Sequence, residues 1–233
     1  MRVMILAAGS TVPAIAERRG DFDRWIREKT GDAWTGTWAF HDLRTLAPLP
    51  APRDADAFVI TGSSSSVTER APWMLRAEEL VRGIDHAGVW LLGICFGHQM
   101  IAQALGGEVK KNPRGREIGT VRLQRLADDA LFAGLPRSFD VNATHVDSVA
   151  TLPPHAELLA TTVLDGASAF RVGPRVRAVQ FHPEIDADVM RGYLRARAHL
   201  VESEGKDPRA LLAAVHEGTR GRDVLRAFAR MVT

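Results

Sequence analysis

One cysteine, Cys95, occurs in 233 residues, and a single thiol excludes an internal disulfide framework. No apolar run approaches the roughly 18 residues that a membrane-spanning helix needs. The apolar stretch at residues 3–8, with one Arg ahead of it, is too short for a signal peptide, so the expected location is the cytoplasm, with no membrane partner. Charge of one sign is also missing: 30 basic residues stand against 28 acidic ones for a net charge of +2. The arginines are scattered rather than gathered into a stripe, which gives no reason to expect a nucleic-acid partner. The eight histidines form no cluster at metal-ligand spacing, and no G-x-x-x-x-G-K-S/T phosphate loop is present. No metal and no cofactor are expected. Internal repeats and low-complexity segments are absent as well. What is left is 45% hydrophobic and 25% charged residues, the balance of an ordinary globular protein. The length suits one sizeable core and would cramp two, so a single domain over residues 1–233 is expected.

The apolar pattern gives the fold class. Residues 3–8, 57–61 and 89–94 are short continuous apolar runs, the signature of strands buried on both faces of a parallel sheet. Between them the spacing predicts helices over 22–30, from Pro72 to Gly88, and over 96–105 before Gly106 and Gly107. A further strand is expected at 38–43. This alternation argues for an α/β protein with a central, mostly parallel sheet flanked by helices, whose sites lie at the carboxyl ends of the strands. From 108 to 180 the pattern changes to short β-like runs, 118–123, 139–143, 157–161, 168–172 and 177–181, predicting an antiparallel or mixed extension. Helices are expected over 189–201, 209–216 and 222–231, so the core is read as about 3–185 and the rest as a helical extension, 187–233, serving as scaffold or interface.

Cys95 stands between a buried strand and an amphipathic helix in Gly93-Ile94-Cys95-Phe96-Gly97, the G-x-C-x-G form of a nucleophile elbow. Glycine two residues before and two after leaves room for the close strand and helix contacts that so sharp a turn needs. A thiol at a helix N-terminus is favoured as thiolate, and the Phe96 N–H would point into the same space to hold an oxyanion. A lone cysteine is usually a small buried apolar residue; the flanking glycines reverse those odds. A thiol nucleophile needs a base. His182 follows an apolar run at an expected strand end, and Glu184, two residues on, can fold back on its imidazole if Pro183 fixes the turn.

With these residues identified, the chain resembles the class I, or triad, glutamine amidotransferases over roughly residues 3–185. The resemblance rests on GICFGHQ at 93–99, on His182-Pro183-Glu184, and on the order Cys, His, Glu. It implies the family's flavodoxin-like layering, with Cys95 as nucleophile, His182 as base and acid, and Glu184 as the orienting carboxylate. Cysteine attack on the glutamine carboxamide, through a glutamyl thioester, would release ammonia and then glutamate. The resemblance also places an oxyanion-loop N–H at Gly62 beside that of Phe96, and a substrate contact at Gln99. Thr144, His145 and Val146 fall in a segment that lines the pocket in guanylate-synthetase-like members, although His145 could equally pack in the core.

The sequence departs from the family at Ser63 and Ser64, where many relatives carry glycine and proline, and at Val146, often glycine. Both changes surround the glutamyl group, so the substrate stays open between glutamine and a γ-glutamyl compound. The 48 residues after 185 are too few for an ATP-dependent acceptor domain, so ammonia is expected to pass to a synthetase subunit in trans. The competing readings are a γ-glutamyl peptidase or hydrolase with the same triad, and a binding protein on an amidotransferase scaffold without turnover, which an intact triad disfavours.

Overall fold

The first apolar run forms the strand β1 (Arg2–Ala7) in the computed structural model, which describes residues 1–233. Its side chains alternate between two cores: Met4 and Leu6 enter one, Val3 and Ile5 the other. That is why the run is apolar throughout rather than every second residue. A short helix, α1 (Pro13–Arg19), opens on a proline whose missing N–H costs nothing at a first turn. It was not expected, because it buries only Ile15 and so carries almost no apolar period. The amphipathic helix α2 (Phe22–Thr30) buries Phe22, Trp25 and Ile26 and is capped by the Asp21 carboxylate. Next come β2 (Thr37–Asp42) and β3 (Ala57–Ile60), which pair parallel with β1 on its two sides. The helix α3 (Pro72–His86) returns the chain to β4 (Trp90–Ile94) and then α4 (Phe96–Ala104). The sequence suggested an amphipathic α4, but the helix is buried on every residue except Gln103. It lies between the sheet and α3 rather than at the surface.

The second half supplies β5 (Glu108–Lys111), β6 (Glu117–Arg125), β7 (Ser138–His145), β8 (Asp147–Thr151), β9 (Ala156–Thr161), β10 (Ala169–Val172) and β11 (Val176–Val179). β5 and β8 form a separate two-stranded ribbon. Neither strand was anticipated, since each buries a single apolar side chain, Val109 and Val149. The remaining nine strands make one mixed sheet in the order β2-β1-β3-β4-β11-β10-β9-β6-β7. Pairing is parallel from β2 through β11 and antiparallel from β11 outward, the extension that the change of pattern after residue 108 predicts. β4, fourth of the nine, thus lies inside the sheet with its carboxyl end between those of β3 and β11, and the carboxyl ends of such strands collect functional loops.

The helix expected over 189–201 is two helices, α5 (Ala187–Ala196) and α6 (Ala198–Ser203), because Arg197 leaves helical geometry at φ −110°, ψ 12°. Two more follow, α7 (Pro208–Ala214) and α8 (Gly221–Val232). No helix is long and apolar enough to cross a membrane. α8 sets Val224, Leu225, Phe228 and Val232 into the core that β4 lines with Leu92 and Ile94. Its first residue, Gly221, lies so close to the 182–184 turn that an added Cβ would stand 2.8 Å from Pro183 Cα. Phe228→Ala is expected to cost about 3–5 kcal/mol in urea unfolding; a loss under about 1 kcal/mol would mean that α8 only rests on the surface.

Candidate functional site

β4 ends and α4 begins within one residue, and Cys95 carries that turn at φ 51°, ψ −99°. A non-glycine residue there is strained and must be held by its surroundings. The flanking glycines explain how. A Cβ on Gly93 would meet the Gly97 carbonyl oxygen at 2.4 Å, and one on Gly97 would meet the Ile60 carbonyl oxygen at 2.5 Å. Backbone packs directly on backbone at the elbow, and only glycine fits at either position. The Cys95 thiol is aimed at the Thr144 carbonyl, 3.9 Å away, where β7 ends.

His182 reaches the thiol from the end of β11. Its own backbone N–H donates to the Asn142 carbonyl at 2.8 Å, and the Asn142 side-chain amide donates to the Ile185 carbonyl at 2.9 Å. β7 therefore clamps the turn on both flanks. His182 Nδ1 donates to Glu184 Oε1 at 2.7 Å, which leaves Nε2 for Cys95, and Phe22 stacks on the ring at 5.9 Å between centroids. Burial alone pushes the Cys95 thiol up, but the charged His182 facing it reverses this and holds the thiol below its ordinary value. Burial likewise pulls His182 down, and the opposing charges of Glu184 and Cys95 override it to hold the imidazolium well above its usual range. Both shifts act in the same sense, favouring the thiolate and imidazolium pair over the neutral one.

Gly62 follows β3, and its N–H makes no bond within the protein; Phe96 opens α4, where the N–H has no intrahelical acceptor. Phe96 directly follows Cys95 in the chain. Gly62 also lies against His182, since a Cβ there would come within 2.8 Å of the imidazole Cε1. The serine loop beyond it is tied across the cleft by a Ser66 hydroxyl donating to Asp147.

A cleft of about 300 Å³ opens over Cys95, lined among others by Ser63, Gln99, Thr144, His145, Val146 and Asp147. The sequence-derived pocket residues thus converge, but their polar atoms are largely committed. The Gln99 amide donates to the Asp147 carbonyl and to Gln180, both at 3.0 Å, instead of being solvated as helix glutamines usually are. His145 is both a core and a cleft residue. Its Nδ1 faces the Asp147 carbonyl at 2.9 Å and its Nε2 the Glu117 carboxylate at 3.1 Å. Both partners offer acceptor oxygens, a setting that favours the doubly protonated ring; burial pulls the His145 pKa down, and the Glu117 hydrogen bond raises it above the ordinary value.

Sequence reasoning missed Glu117, Arg197 and Tyr193. None lies in a motif, and each enters the site through an element whose neighbour only the topology defines. A second space of about 200 Å³ adjoins the first on the His182 side. It shares Ser63, Ser64, Thr144 and Arg197 with the first, so the two are lobes of one cleft.

This constellation is able to attack a carbonyl carbon with a thiolate, hold the resulting oxyanion and protonate a leaving nitrogen. Removing the His182 charge takes away what favours the thiolate. In His182→Asn the pH inflection for iodoacetamide alkylation of Cys95 is expected to rise by roughly 1–3 units; an unmoved inflection would disconnect the two residues. Gly62→Ala, which drives a methyl into His182, is expected to slow that alkylation at neutral pH by about tenfold or more while leaving the melting temperature within a few degrees, a contrast that calorimetry beside the alkylation assay reads.

Residues 39–197 match the family described as glutamine amidotransferase class-I. The chain is 30% identical over 141 residues to gamma-glutamyl peptidase 3 of Arabidopsis thaliana, a match covering 58% of this chain and 57% of the peptidase. It is 34% identical over 124 residues to one subunit of the glutamine-hydrolyzing GMP synthase of Pyrococcus abyssi, covering 51% of this chain and 65% of the relative. The chain thus spans rather more than half the length of these relatives. The crystal structure of a glutamine amidotransferase from Thermotoga maritima superposes with a TM-score of 0.73 at 26% identity, over 100% of this chain and 98% of the other.

Proposed function

The chain belongs to the class I glutamine amidotransferase family of cysteine-dependent amidohydrolases, and from that membership we propose that it hydrolyses the side-chain amide of glutamine to glutamate and ammonia through a thioester on Cys95. The observation that carries the reading is the buried chain of Glu184, His182 and Cys95, with Nδ1 committed to the carboxylate and the thiol depressed by the facing imidazolium.

In this reading the Cys95 thiolate forms a bond to the amide carbon, and the carbonyl electron pair moves to the oxygen, which accepts from the Gly62 and Phe96 N–H groups. Collapse breaks the carbon–nitrogen bond as His182 gives its proton to the departing nitrogen, so ammonia leaves and a glutamyl thioester stays on Cys95. Water then adds to the thioester while His182 takes its proton, and the carbon–sulfur bond breaks to return the thiolate and release glutamate. Glu184 keeps the imidazole in the tautomer and orientation that both proton transfers need. Likeness to one subunit of a glutamine-hydrolyzing synthase supports delivery of ammonia to a synthetase subunit in trans.

A second reading, cleavage of γ-glutamyl amides with an amine larger than ammonia, is favoured by the lobe beside His182 and by likeness to a γ-glutamyl peptidase. Both readings use the same three residues and differ only in the leaving group. Ammonia and glutamate release from free glutamine, run beside a γ-glutamyl dipeptide, is expected for the parent protein with at least one substrate and to vanish in Cys95→Ala. Turnover that survives in the variant would sink both readings.

A further inference from the structure

Arg197 is a cation without a counter-ion at the junction of the two lobes. It stands at the break between α5 and α6, where one Nη donates to the Thr144 hydroxyl at 2.6 Å and the guanidinium lies over the Tyr193 ring at 4.9 Å. No carboxylate comes within ion-pair distance, and burial pulls its pKa below the ordinary value. The nearby Arg116 is different: Glu204 grips it through both carboxylate oxygens at 2.9 and 3.2 Å. A partly buried guanidinium that lacks an anion is a receptor for one, and its planar donor fork matches a carboxylate.

The lobes differ in what they can receive. The Cys95 side carries the carboxylates of Glu69 and Asp147 as well as Arg116 and His145, a lining of both signs suited to the ammonium and carboxylate of a glutamyl group. The His182 side has no acidic side chain at all, being lined by neutral residues such as Ser10, Thr11 and Phe22 together with Arg197 and His182. Because His182 protonates the departing nitrogen, whatever that nitrogen carries lies in the His182 lobe. That space of about 200 Å³ is far more than ammonia needs, since a molecule of water's size takes roughly 30 Å³. We propose that Arg197 receives the carboxylate of the leaving amine, which makes γ-glutamyl amino acids and peptides, with a free carboxylate on the residue after the γ-glutamyl bond, the substrate class of this site. The proposal rests on the reading of Cys95, His182 and Glu184 as amide-cleaving machinery and deepens its second form. The step is the same hydrolysis: the carbon–nitrogen bond breaks, the His182 proton goes to the amino nitrogen of the departing residue, and water supplies the oxygen that releases the thioester.

A carboxylate is also present at the glutamyl end of such a substrate, and two compounds separate the sources. γ-Glutamylglycine and γ-glutamylethylamide share the glutamyl end, and only the first has a carboxylate on the leaving side. The ratio of their kcat/KM values is expected to favour γ-glutamylglycine in the parent, to fall about tenfold or more in Arg197→Gln and to be partly kept in Arg197→Lys. An unchanged ratio overturns the proposal. So does an equal fall for both compounds, which would assign the arginine to the glutamyl carboxylate. If neither compound is turned over, the peptidase form of the reading fails by itself, and turnover of free glutamine decides whether the glutaminase form stands. The carboxylate proposal is then decided by calorimetric binding of the two compounds to Cys95→Ala and to Cys95→Ala with Arg197→Gln. The same tenfold change in the ratio of dissociation constants sustains it, and none removes it.

Discussion

Backbone touches backbone where β4 turns into α4, and the geometry of the cleft follows from that contact. The Gly93 and Gly97 positions have no room for a Cβ, so α4 can sit close enough to β3 and β4 for the chain to reverse within one residue. The strain at Cys95, with φ at 51°, is borne by the packing of a helix that is buried on nearly every side. Such packing fixes the thiol at a helix N-terminus at the carboxyl end of an interior strand. There, side chains from β7, from the turn after β11 and from the loop after β3 arrive from different directions.

Charge is concentrated around this point to an extent that an ordinary core would not tolerate. His182 and Glu184 form one buried pair and His145 and Glu117 another, and both histidines act on the thiol. An unpaired ion in such a setting costs several kcal/mol, and each of these two imidazoles is matched by a carboxylate. The outcome is that both histidines pull the thiol toward the thiolate, which burial alone would disfavour. His98 illustrates the contrast: one turn along α4, with no carboxylate beside it and one nitrogen on the Ala167 carbonyl, it is driven by burial down to about 3 and stays uncharged. Neighbouring histidines thus differ in charge because their partners differ.

The C-terminal helices belong to the same arrangement. α8 abuts the turn that carries His182 and Glu184, and the break between α5 and α6 delivers Arg197 to the cleft. Tyr193, one turn earlier, places its ring under that guanidinium and its hydroxyl 2.6 Å from Thr11. The walls of the His182 lobe therefore come from both ends of the chain.

Much of this was legible along the sequence. The continuous apolar runs located the central strands because burial on both faces leaves no polar alternation, and the glycines around Cys95 marked the elbow because a tight reversal has few other solutions. His182 and Glu184 were readable because a two-residue spacing across a proline can close on itself locally. α1 and the β5–β8 ribbon were not legible, since segments that bury a single apolar residue carry no period. The sequence by itself determined the strand-to-helix turn at Cys95 and the His182–Glu184 pair, whose geometry depends on neighbours within a few residues. Only the tertiary structure decided which residues face that turn. Glu117, His145 and Arg197 meet their partners across 28 to 53 residues of chain through strand order and a helix break, and no local spacing encodes a contact that the sheet's topology creates.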